Sequence, residues 1–159
     1  LASFAGYSSE HRPLGGYAVL VAAFGVAVGA AGAAARASGR QPPERWPVSD
    51  VLMVGVATHK LSRLLAKDKV TSFLRAPFTE FQEASGHGEV EEKPRGRGLQ
   101  LAIGELVVCP YCLAQWVGSG FVGGMVVAPR VTRMVAALYT AETVADFLQL
   151  AYYASEQRA

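Results

Sequence analysis

Charge is scarce in this chain: 18% of its 159 residues are Asp, Glu, Lys or Arg, against 51% hydrophobic. That balance argues against a soluble globule and makes lipid the solvent for much of the sequence. Neither sign dominates, the formal net charge being +2, and the basic residues are spread among loops and helix ends, so a nucleic-acid-binding face has no support. Cysteine is almost missing. Cys109 and Cys112 are the whole complement, too few for a disulfide scaffold and too close together to staple distant segments. The motifs of a nucleotide loop, a hydrolase triad and a paired-His metalloprotease helix are absent too, as is any internal repeat, which leans the reading away from an enzyme.

What is present is a set of long apolar runs. Leu14 to Ala35 is uncharged over 22 residues, enough at about 1.5 Å per residue to cross a hydrocarbon layer of roughly 30 Å and longer than the apolar core of a signal peptide. It is expected to be a retained first span, with Gly25 and Gly29 at the spacing that lets helix backbones approach. Trp46 closes the following loop at the interface, and Ser49 or Asp50 caps a second helix whose apolar start is interrupted by His59, Lys60 and Arg63, so that it either crosses with its basic end at the surface or lies along the interface. Lys67 to Gly98 is polar. Phe73, Leu74, Pro77, Phe78 and Phe81 suit a segment resting at the headgroups, and Glu89 to Arg97 reads as an exposed loop. Between Glu105 and Arg130 lie 24 uncharged residues, a further span. The last runs from Met134 to Ala154 and carries Glu142 and Asp146, charges that are costly in lipid.

The pattern predicts an all-α integral membrane helical bundle of four transmembrane helices, with a cytoplasmic loop between the second and third. The organisation is residues 1–47 as N-terminal helix and loop, 48–154 as a three-helix membrane core with loop 67–98, and 155–159 as tail. Counting Lys and Arg beside the spans gives eight on the side of the long loop and five on the other. The loop and C-terminus therefore face the cytoplasm of a bacterial inner membrane.

Cys109-Pro110-Tyr111-Cys112 stands at the start of a span, where a helix N-terminus would stabilise a thiolate. Its spacing suits a redox dithiol or two ligands of zinc or iron, with His59 as a further ligand, although tetrahedral zinc wants four. A structural or packing role is the reading placed first, ahead of both. Glu142, Asp146, Gln149 and Tyr153 form one stripe on the last helix. Glu142 and Asp146 are expected to join His59, Arg63, Cys112 and Gln115 in an intramembrane polar cluster, or their carboxylates pair with Arg63 or Lys60 simply to hold the helices together.

Lys60-Leu61-Ser62-Arg63-Leu64, Asp68-Lys69-Val70, Leu74-Arg75-Ala76-Pro77-Phe78, Gly104-Glu105-Leu106 and the Cys109 to Cys112 motif with Trp116 downstream together resemble a bacterial membrane family, domain of unknown function thirteen-sixty. The resemblance covers Ala57 to Gln149 and leaves the first span as an addition. It implies a basic-ended helix, a charged loop, a Cys-x-x-Cys helix and a final helix, and no activity. The leading expectation is a polytopic scaffold or accessory subunit, in the bilayer as a homo-oligomer or part of a larger membrane complex. A membrane thiol-disulfide oxidoreductase using Cys109 and Cys112 comes second, and a proton or ion pathway lined by Glu142 and Asp146 third.

Overall fold

The computed structural model describes residues 6–10 and 12–158. Its elements run α1 (Leu14–Ala37), α2 (Val48–Lys67), α3 (Ser72–Arg75), β1 (Thr79–Ser85), β2 (Glu89–Pro94), α4 (Leu99–Val107), α5 (Pro110–Val127) and α6 (Pro129–Glu156). The described residues are mostly helical, and the all-α expectation is corrected by one antiparallel hairpin, β1 with β2. Four transmembrane helices are not supported. Among the described residues only α1 is long and apolar enough to cross a membrane, or two spans exist if α4 and α5, bent by 83° at their break, count as one. Asp50, Lys60, Arg63 and Lys67 interrupt α2, and Arg130, Arg133, Glu142 and Asp146 interrupt α6, each charge costing transfer energy in hydrocarbon.

Local chemistry explains the helix ends. Gly39, at φ 68°, takes the left-handed turn that closes α1, with the Gly39 N–H on Arg36 O (3.0 Å) and the Arg40 N–H on Ala35 O (2.9 Å) satisfying its last carbonyls. Pro110 has no N–H to continue α4, yet its fixed φ suits the first position of α5, so one residue ends one helix and begins the next.

The chain divides into two compact units, Leu1–Ala30 with Arg63–Leu113 and Ala31–Ser62 with Ala114–Ala159. The first is organised by Arg75, which is 1% exposed. Its Nε donates to Glu92 Oε2 (2.6 Å), Nη1 to Leu65 O and Thr71 Oγ1 (both 2.7 Å), and Nη2 to Asp68 O (2.9 Å) and Ser72 Oγ (3.4 Å). Leu65 O is one of the carbonyls that the end of α2 leaves without a helical partner, so the guanidinium caps that helix while its ion pair grips β2. Two more strand carboxylates are met by the same helix: Arg63 binds Glu89 through two bonds (2.6 and 2.7 Å) and Lys67 binds Glu91 (2.7 Å). The charge-dense stretch expected as an exposed loop is thus a strand held by three cations. At its tip His87 and Gly88 have φ of 61° and 83°, which turns the chain back within three residues.

Helix α4 lies against the base of the hairpin. A Cβ on Gly104 would stand 2.5 Å from Phe78 O and 3.1 Å from Pro94 Cβ, so only glycine permits the contact. Gly16 of α1 approaches α4 as closely, a Cβ there falling 2.7 Å from Ala102 Cβ. The Tyr17 hydroxyl donates to Glu105 beside it.

The second unit centres on buried Ala57, Phe121 and Ala136, with Met53, Val54, Leu61, Val117, Val135 and Tyr139 around them. Two of its three central side chains are alanine, so its helices approach closely while burying few large groups. Asp50 and Arg133 pair at 2.6 Å, Thr140 Oγ1 donates to Met53 O (3.1 Å), and Lys60 and Asp146 pair at 2.6 Å. Both residue numbers rise from one contact to the next, so α2 and α6 run parallel.

Arg75→Met should leave Glu92 charged, buried and unpaired, lowering stability by about 3–5 kcal/mol. Thermal unfolding in mild detergent reads this as a large fall in Tm, and an unchanged Tm would contradict the role given to Arg75. The hydrogen bond from Arg133 holds the Asp50 carboxyl below its ordinary range. A depressed folded value means that this stabilisation is present at neutral pH, above the unfolded value, and is lost as pH falls through the folded value. The Tm difference between wild type and Asp50→Asn should therefore close on acidification, and a pH-independent difference would count against the pair.

Candidate functional site

The α4–α5 corner carries the only cysteines. Val108 caps α4, its N–H bonding Gly104 O (3.2 Å), and Cys109 N–H reaches Leu106 O (3.3 Å) as the chain turns. Cys109 O then accepts the Leu113 N–H (3.0 Å), the first bond of α5, which puts Cys109 in the N-cap position with Pro110, Tyr111 and Cys112 forming the first turn. Side chains at an N-cap accept from the N–H two or three residues on. Here the acceptor is sulfur: the Cys112 N–H donates to Cys109 Sγ at 3.2 Å. A disulfide joins the two cysteines, their Cα atoms 5.3 Å apart. Cys109 is half-buried and Cys112 exposed, while Tyr111 between them is 89% exposed. The motif is thus open to solvent or lipid on the Tyr111 side.

The remaining sequence-predicted residues have other settings. Asp146 is held by Lys60, not Arg63. Arg63 is turned instead to Glu89 in the first unit, because the hairpin, unforeseen in the sequence, places a carboxylate within reach. Of the two cations expected for the α6 carboxylates, Lys60 is thus the one on Asp146. Gln115 is exposed on α5 and Glu142 is half-buried on α6, one turn before Asp146. His59 lies on α2, where its carbonyl accepts from Ser62 Oγ (3.0 Å). No group of three or more His, Cys, Asp or Glu capable of holding a metal is assembled among the described residues. The two thiols alone supply half of a tetrahedral zinc set.

Sequence reasoning missed the Arg75–Glu92 pair and the Tyr17–Glu105 bond. Both join residues whose proximity exists only once the hairpin and α4 are placed. The signal available was Gly86-His87-Gly88 between Thr79-Glu80-Phe81 and Glu89-Val90-Glu91, a turn flanked by alternation. An open cleft of about 630 Å³ beside the first turns of α1 and α4 is lined by Arg12, Gly16, Val19, Arg97 and Leu99 among others, and none of the expected site residues borders it.

Residues 53–152 match the family described as "Protein of unknown function (DUF1360)". The sporulation protein YjcA of Bacillus subtilis (strain 168) is 26% identical over 102 residues, which is 62% of this chain and 86% of that protein. No solved structure matches. The matched span takes in the Arg75 knot, the cysteine corner and almost all of α6, and leaves out α1. With well over half of its length matched by that family, the chain belongs to DUF1360.

Proposed function

We propose that this chain is a small membrane-embedded scaffold or accessory subunit, acting through association with copies of itself or a larger membrane assembly. One observation carries the reading: its large apolar side chains are turned outward. On α6 Met134, Leu138, Phe147 and Leu148 are 55–67% exposed, on α2 Val51 and Leu52 are 54% and 65% exposed, and on α1 Val21 and Val26 are both 72% exposed. An outward apolar surface of this kind calls for lipid or protein to cover it. In this reading α1 anchors the chain in the bilayer, and the broken α4–α5 pair enters it. The long polar segment, folded as the hairpin, stays with the C-terminus on the cytoplasmic side of a bacterial inner membrane.

Small residues favour close helix association as well. Gly25, Gly29 and Gly32 of α1 have no described atom within 4 Å of the place a Cβ would take, so that face can receive another backbone. The carboxylates on α6 fit the same reading better than an ion pathway. Asp146 is neutralised by Lys60, as in a pair that fixes one helix against another. Sporulation, the process in the name of the Bacillus relative, is a setting in which to seek the assembly.

A photocrosslinking residue replacing Leu148 should yield a protein adduct in intact membranes, whereas one replacing Glu83 on the hairpin should yield less. A chain that extracts as a monomer and gives only lipid adducts from position 148 would contradict the scaffold reading and leave only its membrane anchorage.

A further inference from the structure

We infer that Cys109 and Cys112 form a thiol-disulfide exchange centre in which Cys112 is the sulfur open to an incoming thiolate and Cys109 is the leaving sulfur. This goes beyond the scaffold reading and does not depend on it. Three features of the corner carry it.

The first is access. An attacking thiolate must approach the sulfur along the S–S axis from outside, and Cys112 is exposed whereas Cys109 is half-buried in the turn between α4 and α5. The second is the fate of the charge. Breaking the bond from the Cys112 side leaves the electron pair on Cys109 Sγ, which already accepts the Cys112 N–H at 3.2 Å. That sulfur stands at the positive end of an 18-residue helix, where a negative charge is favoured. Breaking it from the other side would put the charge on Cys112, which lies within the first turn of α5 instead of at its N-cap. Exchange is faster when the departing thiolate is the better stabilised one. The third is what the pair does not do. Its loop closes over three positions of sequence, and the turn around it is already fixed by Pro110 and by the backbone bonds of Val108, Cys109 and Leu113. A cross-link this short adds little constraint to the unfolded chain, so fold stabilisation is a poor explanation for two cysteines in a chain that has no others.

The step balances with a thiol as co-reactant, either a small thiol or a protein thiol. Its thiolate attacks Cys112 Sγ, the Cys109–Cys112 bond breaks, a mixed disulfide forms on Cys112, and Cys109 keeps the electron pair as thiolate. A second thiolate then attacks the mixed disulfide at the sulfur of the first co-reactant. Cys112 departs as thiolate, and the two co-reactant thiols leave as their disulfide, having reduced the protein by two electrons. Run backwards, the same path oxidises the protein with the mixed disulfide again on Cys112.

The test uses the full chain, oxidised, in mild detergent. Glutathione is added at neutral pH, the reaction is quenched early with iodoacetamide, and fragment masses locate each adduct across the Pro110-Tyr111 bond. Glutathione on Cys112 with carbamidomethyl on Cys109, in at least tenfold excess over the reverse arrangement, is the expected result. The reverse arrangement would overturn the assignment of the two sulfurs while leaving an exchange centre. A disulfide that glutathione opens only after denaturation, or that never forms under oxidising conditions, would overturn the exchange centre itself.

Discussion

A guanidinium withdrawn from water loses the solvent partners of five N–H groups, and its burial is tolerated only where the fold replaces all of them. Arg75 is in that position. Its acceptors come from the C-terminal end of α2, from the short α3 that carries it and from Glu92 on β2, so three pieces of chain are fixed by one side chain. Glu92 in turn also accepts from Thr79 Oγ1 at 3.3 Å, which brings in β1. Much of the rest of the first unit follows from that arrangement. The hairpin base supplies Phe78 O and Pro94 for Gly104 to approach. The Gly104 helix then carries Glu105 to Tyr17 and ends at the cysteine corner.

The helices were legible in the residues because apolar runs, Pro110, Pro129 and the Gly39 stop are local signals. The Leu14 to Ala35 run became α1 almost to the residue, and the polar interruption of α2 did not stop its helix. The hairpin was hidden by its composition. Glu80, Glu83, Glu89, Glu91, Glu92 and Lys93 give β1 and β2 the look of solvated loop, and only Thr79, Val90 and the Glu92 side chain are buried along them. Strands of that kind are stabilised by partners elsewhere in the sequence, here Arg63, Lys67 and Arg75, and a local pattern cannot show that. The break between α4 and α5 was hidden in the opposite way: 24 uncharged residues between Glu105 and Arg130 read as one span, although Pro110 marked the turn.

The same comparison changes the meaning of the residues that carry the family resemblance. Arg63, Asp68, Arg75, Phe78 and Gly104 all belong to the hairpin knot and its contact with α4, so a large part of the recurring motif describes architecture. The cysteine pair remains outside that explanation, since the turn that holds it is made by Pro110 and backbone bonds. The candidate polar cluster was legible only in part. Asp146 has the partner on α2 that the sequence allowed, Lys60, and Arg63 has a carboxylate of its own in the hairpin. In the second unit the alanine-rich centre and the outward Met, Leu and Phe side chains of α6 are two sides of one property. Close helix approach leaves the large apolar groups for an environment outside the chain.

Native-state hydrogen exchange on the full chain in mild detergent tests most directly whether the polar segment is a folded hairpin knotted to α2. The amides of Lys69 and Arg95, bonded to Gly88 O and Phe78 O, should be protected together, and should lose protection together when Arg75 is replaced by Met. Exchange of these amides at unprotected rates in the wild-type chain, or protection that survives the loss of Arg75, would contradict it.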